Sequence, residues 1–146
     1  MTRRILFALF AICTLGLPAV AADKVTPPAN LDALPPADTK PILGRWQYPA
    51  GDQPILTFEF REKSLTVRIV NADGKVSNGT ADADYKQGAP GVIWLVTSNA
   101  RTSTQQPPQA AVAVTRLQLV SKDELDMVDS GQDLDSYRVI PLGRVR

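Results

Sequence analysis

Ile55-Leu-Thr-Phe-Glu-Phe-Arg61, then Glu62-Lys63, then Ser64-Leu-Thr-Val-Arg-Ile-Val-Asn71 is the stretch that decides the fold. In its first half Leu56, Phe58 and Phe60 alternate with Thr57, Glu59 and Arg61. After the tight turn at Glu62-Lys63, Leu65, Val67 and Ile69 stand opposite Thr66 and Arg68. Apolar and polar residues in strict alternation belong to strands with one buried and one wet face, joined here as an antiparallel hairpin.

The same pattern continues on both sides. Asn71-Ala-Asp-Gly-Lys75 is a turn sequence in which Gly74 is free to take positive φ. From Val76 to Tyr85, Ala81, Ala83 and Tyr85 oppose Asp82 and Asp84, and Gln87-Gly-Ala-Pro-Gly91 turns the chain again. Val92-Ile-Trp-Leu-Val96 is apolar throughout, as a well-buried strand would be. Residues 97–110 form a polar segment containing Pro107-Pro108, too long for an ordinary hairpin turn, which marks a functional or mobile connection. Strands follow at Ala111 to Val120, Leu125 to Val128 and Ser136 to Ile140, and one precedes the hairpin at about 43–48. No segment carries a helical period and no stretch repeats.

The expected fold is therefore all-β, an eight-stranded antiparallel up-and-down meander. A meander of that size closes most readily into a barrel, because closure removes the exposed sheet edges. A barrel of about eight strands has an interior filled by its side chains or holding one small ligand. Asn78-Gly79-Thr80 reads as a glycosylation sequon, but Gly79 within a strand is better explained as a bulge or bend that helps the sheet to close.

Upstream of the strands the chain changes character. Arg3 and Arg4 precede the apolar run Ile5 to Leu17, and Ala19-Val-Ala21 supplies small residues for a cut. This is the form of a secretory signal peptide, with cleavage expected after Ala21, or one residue later after Ala22. The apolar run falls short of the ~20 residues that span a bilayer, so no stable membrane anchor is expected after cleavage. The localisation expected is periplasmic or secreted. Residues 22–41 then hold Pro27, Pro28, Pro35, Pro36 and Pro41. Two Pro-Pro pairs impose an extended path, with room for one helical turn at Asn30 to Leu34. A plain spacer is expected here in preference to an arm that docks on a partner. The division is thus 1–21 signal peptide, 22–41 Pro-rich extended tail and 42–146 a single barrel domain.

Composition removes several function classes. The one cysteine, Cys13, leaves with the leader, and the chain has no histidine. The mature protein therefore has no thiolate or imidazole for zinc, for nucleophilic attack or for general base catalysis. Its net charge falls from +1 to −1 when Arg3 and Arg4 are lost. A chain so nearly neutral, without a basic stripe, lacks the electrostatic drive for nucleic-acid binding.

Gly44-Arg45-Trp46 on the first strand resembles the Gly-x-Trp of lipocalins and the wider calycin group. The resemblance implies that Trp46 plugs one end of the barrel, that Gly44 lets the backbone pass close to the ring, and that an arginine of the last strand packs across the indole. Arg138, in Asp135-Ser-Tyr-Arg-Val-Ile140, is the residue assigned to that role. Such stacking gains cation–π attraction and covers apolar surface. The chain departs from the group in having no disulfide and no clear helix after the last strand.

Candidate chemistry is sparse. Asp82 and Asp84 share a strand face, where carboxylates two residues apart are more simply solvated than catalytic. Asp129-Ser-Gly-Gln-Asp133-Leu-Asp135 misses the EF-hand spacing, since glycine comes third and no glutamate closes it. No catalytic residue, metal site or cofactor is expected. Phe58, Phe60, Val67, Tyr85 and Trp94 are the expected ligand-facing side chains of the lumen. The leading expectation is a non-enzymatic binding protein holding a small apolar or amphipathic ligand. The alternative is a protein-binding module of the cell envelope, inhibitor-like or an assembly factor, acting through the tail and the 97–110 segment. A filled lumen would favour the second.

Overall fold

Eight strands run in chain order around a closed barrel: β1 (Gly44–Gln47), β2 (Ile55–Phe60), β3 (Ser64–Val70), β4 (Val76–Gln87), β5 (Val92–Thr102), β6 (Ala113–Ser121), β7 (Glu124–Asp129) and β8 (Arg138–Arg144). The computed structural model describes residues 27–48, 55–102, 112–129 and 138–146, with the backbone alone at Asp129 and Arg138. The expected signal peptide at 1–21, most of the 97–110 segment and the acidic run 130–135 lie outside the described residues. Every neighbouring pair is antiparallel, and each strand pairs with the next in sequence. The seam is short. β1 meets β8 through Trp46 opposite Arg144 and Gln47 opposite Gly143.

Alternation sets the walls. Leu56, Phe58 and Phe60 of β2 and Leu65, Val67 and Ile69 of β3 all point into one buried cluster. They are joined there by Trp46, Tyr85, Leu95, Leu117, Leu125, Met127, Ile140 and Leu142. The turns at 61–63, 88–91 and 122–123 gather at the end of the barrel where β1 begins. That end is closed.

β5 continues to Thr102, beyond the apolar core of its sequence, and pairs with β4 along its length. The pairing slips once. Thr80 faces Arg101, but Asp82 faces Ser98, so β5 carries one residue more than β4 across the step. Asn99 absorbs it at φ 51°, in the left-handed region that asparagine tolerates better than most residues. Its Nδ2 donates to Asp82 Oδ2 at 2.7 Å, which ties the bulge to the neighbouring strand. The expected bulge is thus beside Gly79, but Asn99 on the opposite strand makes it. The extra residue also returns Ala100 to the buried side, against Ala81.

The Pro-rich tail is no free spacer. Its first described part makes a single 3-10 turn at Leu31–Ala33. Pro35 to Ala37 then lies alongside β4: Gln87 N donates to Pro35 O at 2.8 Å and Ala37 N to Tyr85 O at 3.0 Å. β3 pairs with β4 no further than Ser64 opposite Asp82. Residues 85–87 of β4 therefore present a bare edge on that side, and an extended, proline-fixed segment satisfies it. Leu31 and Leu34 pack on the outside of the barrel against Trp94 and Val128.

Candidate functional site

The interior divides into a plugged half and a small-residue half. At the closed end Trp46 is fully buried, and its indole Nε1 donates to Ile42 O at 2.8 Å. A guanidinium lies over the ring, with its carbon 4.2 Å from the ring centroid. It belongs to Arg144. The role assigned to Arg138 is corrected accordingly. The register places Arg144 opposite Trp46, whereas Arg138 pairs through its backbone with Asp129 at the other end of β8. The two arginines stand six positions apart on β8, about 20 Å of extended chain. Arg144 also donates to the carbonyls of Leu43, Pro41 and Lys122, so one side chain fastens the turn segment before β1, the β6–β7 turn and the plug. Gly44 sits beside it at φ +115°, a conformation that side-chain-bearing residues rarely adopt.

The aromatic residues expected to line a lumen fill it instead. Phe58 is 0% exposed, Phe60 1% and Val67 1%, so no water-sized void borders them. The two phenylalanine rings stack at 6.4 Å between centroids and 12° between planes. Tyr85 is buried and its hydroxyl donates to Arg61 O at 2.8 Å, capping the closed end. Burial away from water pushes the Tyr85 phenol well above its ordinary range.

Trp94 is corrected more sharply: it lies outside the barrel. Ile93, Leu95 and Thr97 take the inward positions of β5, while Trp94 pairs with Lys86 and Arg116 and packs with Val128, Leu31 and Leu34. A strand apolar on both faces gives no parity signal, and the outer face here is buried by the tail. The ring passes so close to the β4–β5 turn that a Cβ on Gly88 would sit 2.9 Å from its Nε1.

The wall formed by β4, β5 and β6 is built differently. Gly79, Ala81, Ala83 and Ala100 are buried there, and Ala113 packs against them. Thr97 stands between Ala83 and Ala113, and Thr115 stands opposite Leu95. Each threonine is 1% exposed, and neither hydroxyl has a hydrogen-bond partner. Trp46 Nε1 and Tyr85 OH, by contrast, are both paired. A buried hydroxyl left without a partner costs about 1–3 kcal/mol. Valine would fill nearly the same space without that cost, so two such threonines on one wall are unfavourable as packing alone. Sequence reasoning missed them. The signal was present as a threonine following an apolar strand, but its inward position depends on β5 continuing past Val96.

Among the described residues, no group of three or more Asp, Glu, His or Cys side chains is placed to hold a metal ion. Comparison with protein-family models, curated proteins and solved structures finds no match to this chain. The functional reading therefore rests on the barrel itself.

Proposed function

We propose that this is a secreted or periplasmic binding protein without enzymatic activity, whose lipocalin-like barrel holds one small apolar or amphipathic molecule against the β4–β6 wall. The observation that carries this reading is the asymmetry of the interior. Large side chains fill the end plugged by Trp46, whereas glycine, alanine and threonine line the wall around Ala81, Thr97 and Ala100. The lipocalin likeness is supported by Gly44-x-Trp46 with a stacked arginine from the last strand, Arg144. The leader at 1–21 supports export. The predominantly apolar interior supports a ligand bound by burial and not by charge.

Diphenylhexatriene, an apolar fluorophore that emits when it leaves water, tests this directly. Saturable binding at one site per chain is expected, together with at least ~10-fold weaker binding to Ala100→Phe, equivalent to about 1.4 kcal/mol. The variant is first shown to keep its β-sheet circular dichroism. Wild-type protein that shows no saturable signal would remove the reading.

A second reading, a protein-binding module of the envelope, is favoured by the outer face. The β4 edge at Tyr85–Gln87 accepts an extended segment, and the neighbouring Trp94–Val128 patch accepts its leucines. A partner strand that displaced Leu31–Ala37 would find both. Pull-down with a chain beginning at Asp38, compared with the full mature chain, separates the readings: only a partner of this edge is gained by the truncation.

A further inference from the structure

We infer that the outer wall covered by the tail is a docking site for an extended, leucine-bearing segment of a partner protein whose carboxylate pairs with Arg116. This rests on the reading of the chain as a protein-binding module and specifies the chemistry of the partner segment.

Lys86, Trp94, Arg116, Val128 and Val139 stand in one register row across the outside of β4 to β8. The tail shows what this wall accepts. Pro35 to Ala37 bonds to the β4 edge through backbone atoms, and Leu31 and Leu34 pack with Trp94 and Val128. Strand addition of this kind draws affinity from the backbone and specificity from the side chains that the wall receives. Arg116 leaves the sheet between Trp94 and Val128, and its Nε is closed to solvent without a hydrogen-bond partner. A guanidinium N–H that gives up water and gains no acceptor is unfavourable. The tail does not relieve it, since Asp32, between the two leucines, is exposed. Lys86, the other cation of the row, is already paired with Asp84 at 3.3 Å. The tail thus matches the edge and the apolar surface but leaves one buried donor unmet. A carboxylate fits a guanidinium in both charge and fork geometry. A segment that supplied one would displace the tail.

A full mature chain carrying Leu31→Ser and Leu34→Ser frees the wall without shortening the protein. Fluorescein-labelled peptides of residues 28–38 are titrated onto it, either unaltered or with Glu or Gln in place of one leucine at a time. Fluorescence anisotropy reads the affinity. At one or both positions the Glu peptide should bind ~10-fold tighter than its Gln counterpart, because only the carboxylate pairs with the guanidinium. Arg116→Gln in the protein should bring the two peptides within ~3-fold of each other. Glu bound no tighter than Gln at both positions, or an advantage that survives Arg116→Gln, would overturn the inference, while binding of the unaltered peptide left the protein-binding reading standing. Failure of every peptide to bind would overturn both. Sedimentation of the wild-type chain should show a monomer. A dimer abolished by the two serines would make the tail of a second copy the occupant and would overturn the inference as well.

Discussion

The guanidinium of Arg144 lies over the indole of Trp46 with its carbon 4.2 Å from the ring centroid, joining the last strand to the first at the closed end of the barrel. The pair sits at a seam only two register pairs long, so side-chain contacts matter more there than between longer strands. The same guanidinium supplies donors to three backbone carbonyls. Arg144→Ala should lower stability by about 2–3 kcal/mol, from hydrogen bonds to a charged group and the lost cation–π contact. Arg144→Lys keeps the charge but not the planar fork, and should recover less than half of that loss. Trp46→Leu and Arg144→Ala should be less destabilising together than their sum, whereas Arg138→Ala should add to Trp46→Leu, since sites well over 10 Å apart rarely couple. Urea denaturation midpoints of the four variants and the two doubles decide it.

Tyr85 should make stability fall at alkaline pH. Its phenol has a folded-state pKa raised by burial above the unfolded value of about 10. Below that unfolded value both states are protonated and the contribution is complete. Above it the unfolded chain releases a proton that the folded chain retains, so the native state is progressively disfavoured as pH rises. Tyr85→Phe should flatten the stability profile above about pH 10. At neutral pH it should cost about 0.5–1.5 kcal/mol for the lost bond to Arg61 O. Denaturant titrations at neutral and alkaline pH measure both effects.

The docked tail gives a separate expectation. Removal of residues before Asp38 strips Leu31 and Leu34 from Trp94 and Val128, and it leaves Gln87 N without its acceptor, Pro35 O. The barrel should survive, because all eight strands lie beyond the cut. Amide exchange should accelerate at Gln87 and stay slow at Leu95 and Leu117 within the sheet. Trp94 fluorescence should shift to the red, observed in a Trp46→Phe background to isolate it. Unchanged protection at Gln87 would mean that the tail does not hold this edge in solution.

Thr97→Val and Thr115→Val should each raise stability, by about 1 kcal/mol, in the absence of ligand. Each removes a buried, unpartnered hydroxyl and keeps the branched shape that strands favour. Most core substitutions destabilise, so a gain at both positions would be informative. Loss of stability at either would indicate that its hydroxyl is already satisfied within the folded chain. Thermal denaturation of ligand-free protein is sufficient.

The parts legible in the sequence were those with one wet face. Leu56, Phe58 and Phe60 against Thr57 and Glu59 announce their strand, and Leu65, Val67 and Ile69 announce the next, because water on one side forces alternation. Trp94 was not legible, since β5 is apolar on both sides and the tail that buries its outer face bonds through backbone atoms. Backbone addition at Pro35–Ala37 leaves no side-chain pattern to read. In the sequence Arg138 stands ahead of Arg144 as the stacking residue because the apolar strand pattern ends at Ile140, while β8 runs through Pro141 to Arg144. Pro141 pairs in register with Asp126 and lies beyond the two β1–β8 pairs at Gly143 and Arg144, so β8 is locally an edge there and tolerates the missing donor. Thr97 reads as the start of a loop, because the bulge at Asn99 that prolongs β5 arises from pairing with β4 and not from local sequence.

The most direct test of the account is native mass spectrometry of the protein purified without detergent from its own source. The result expected is the mature chain beginning at Ala22 or Asp23 carrying one small molecule. That molecule should be lost on denaturation. The contradicting result is a bare mature chain that gains no mass after incubation with an organic extract of the same cells.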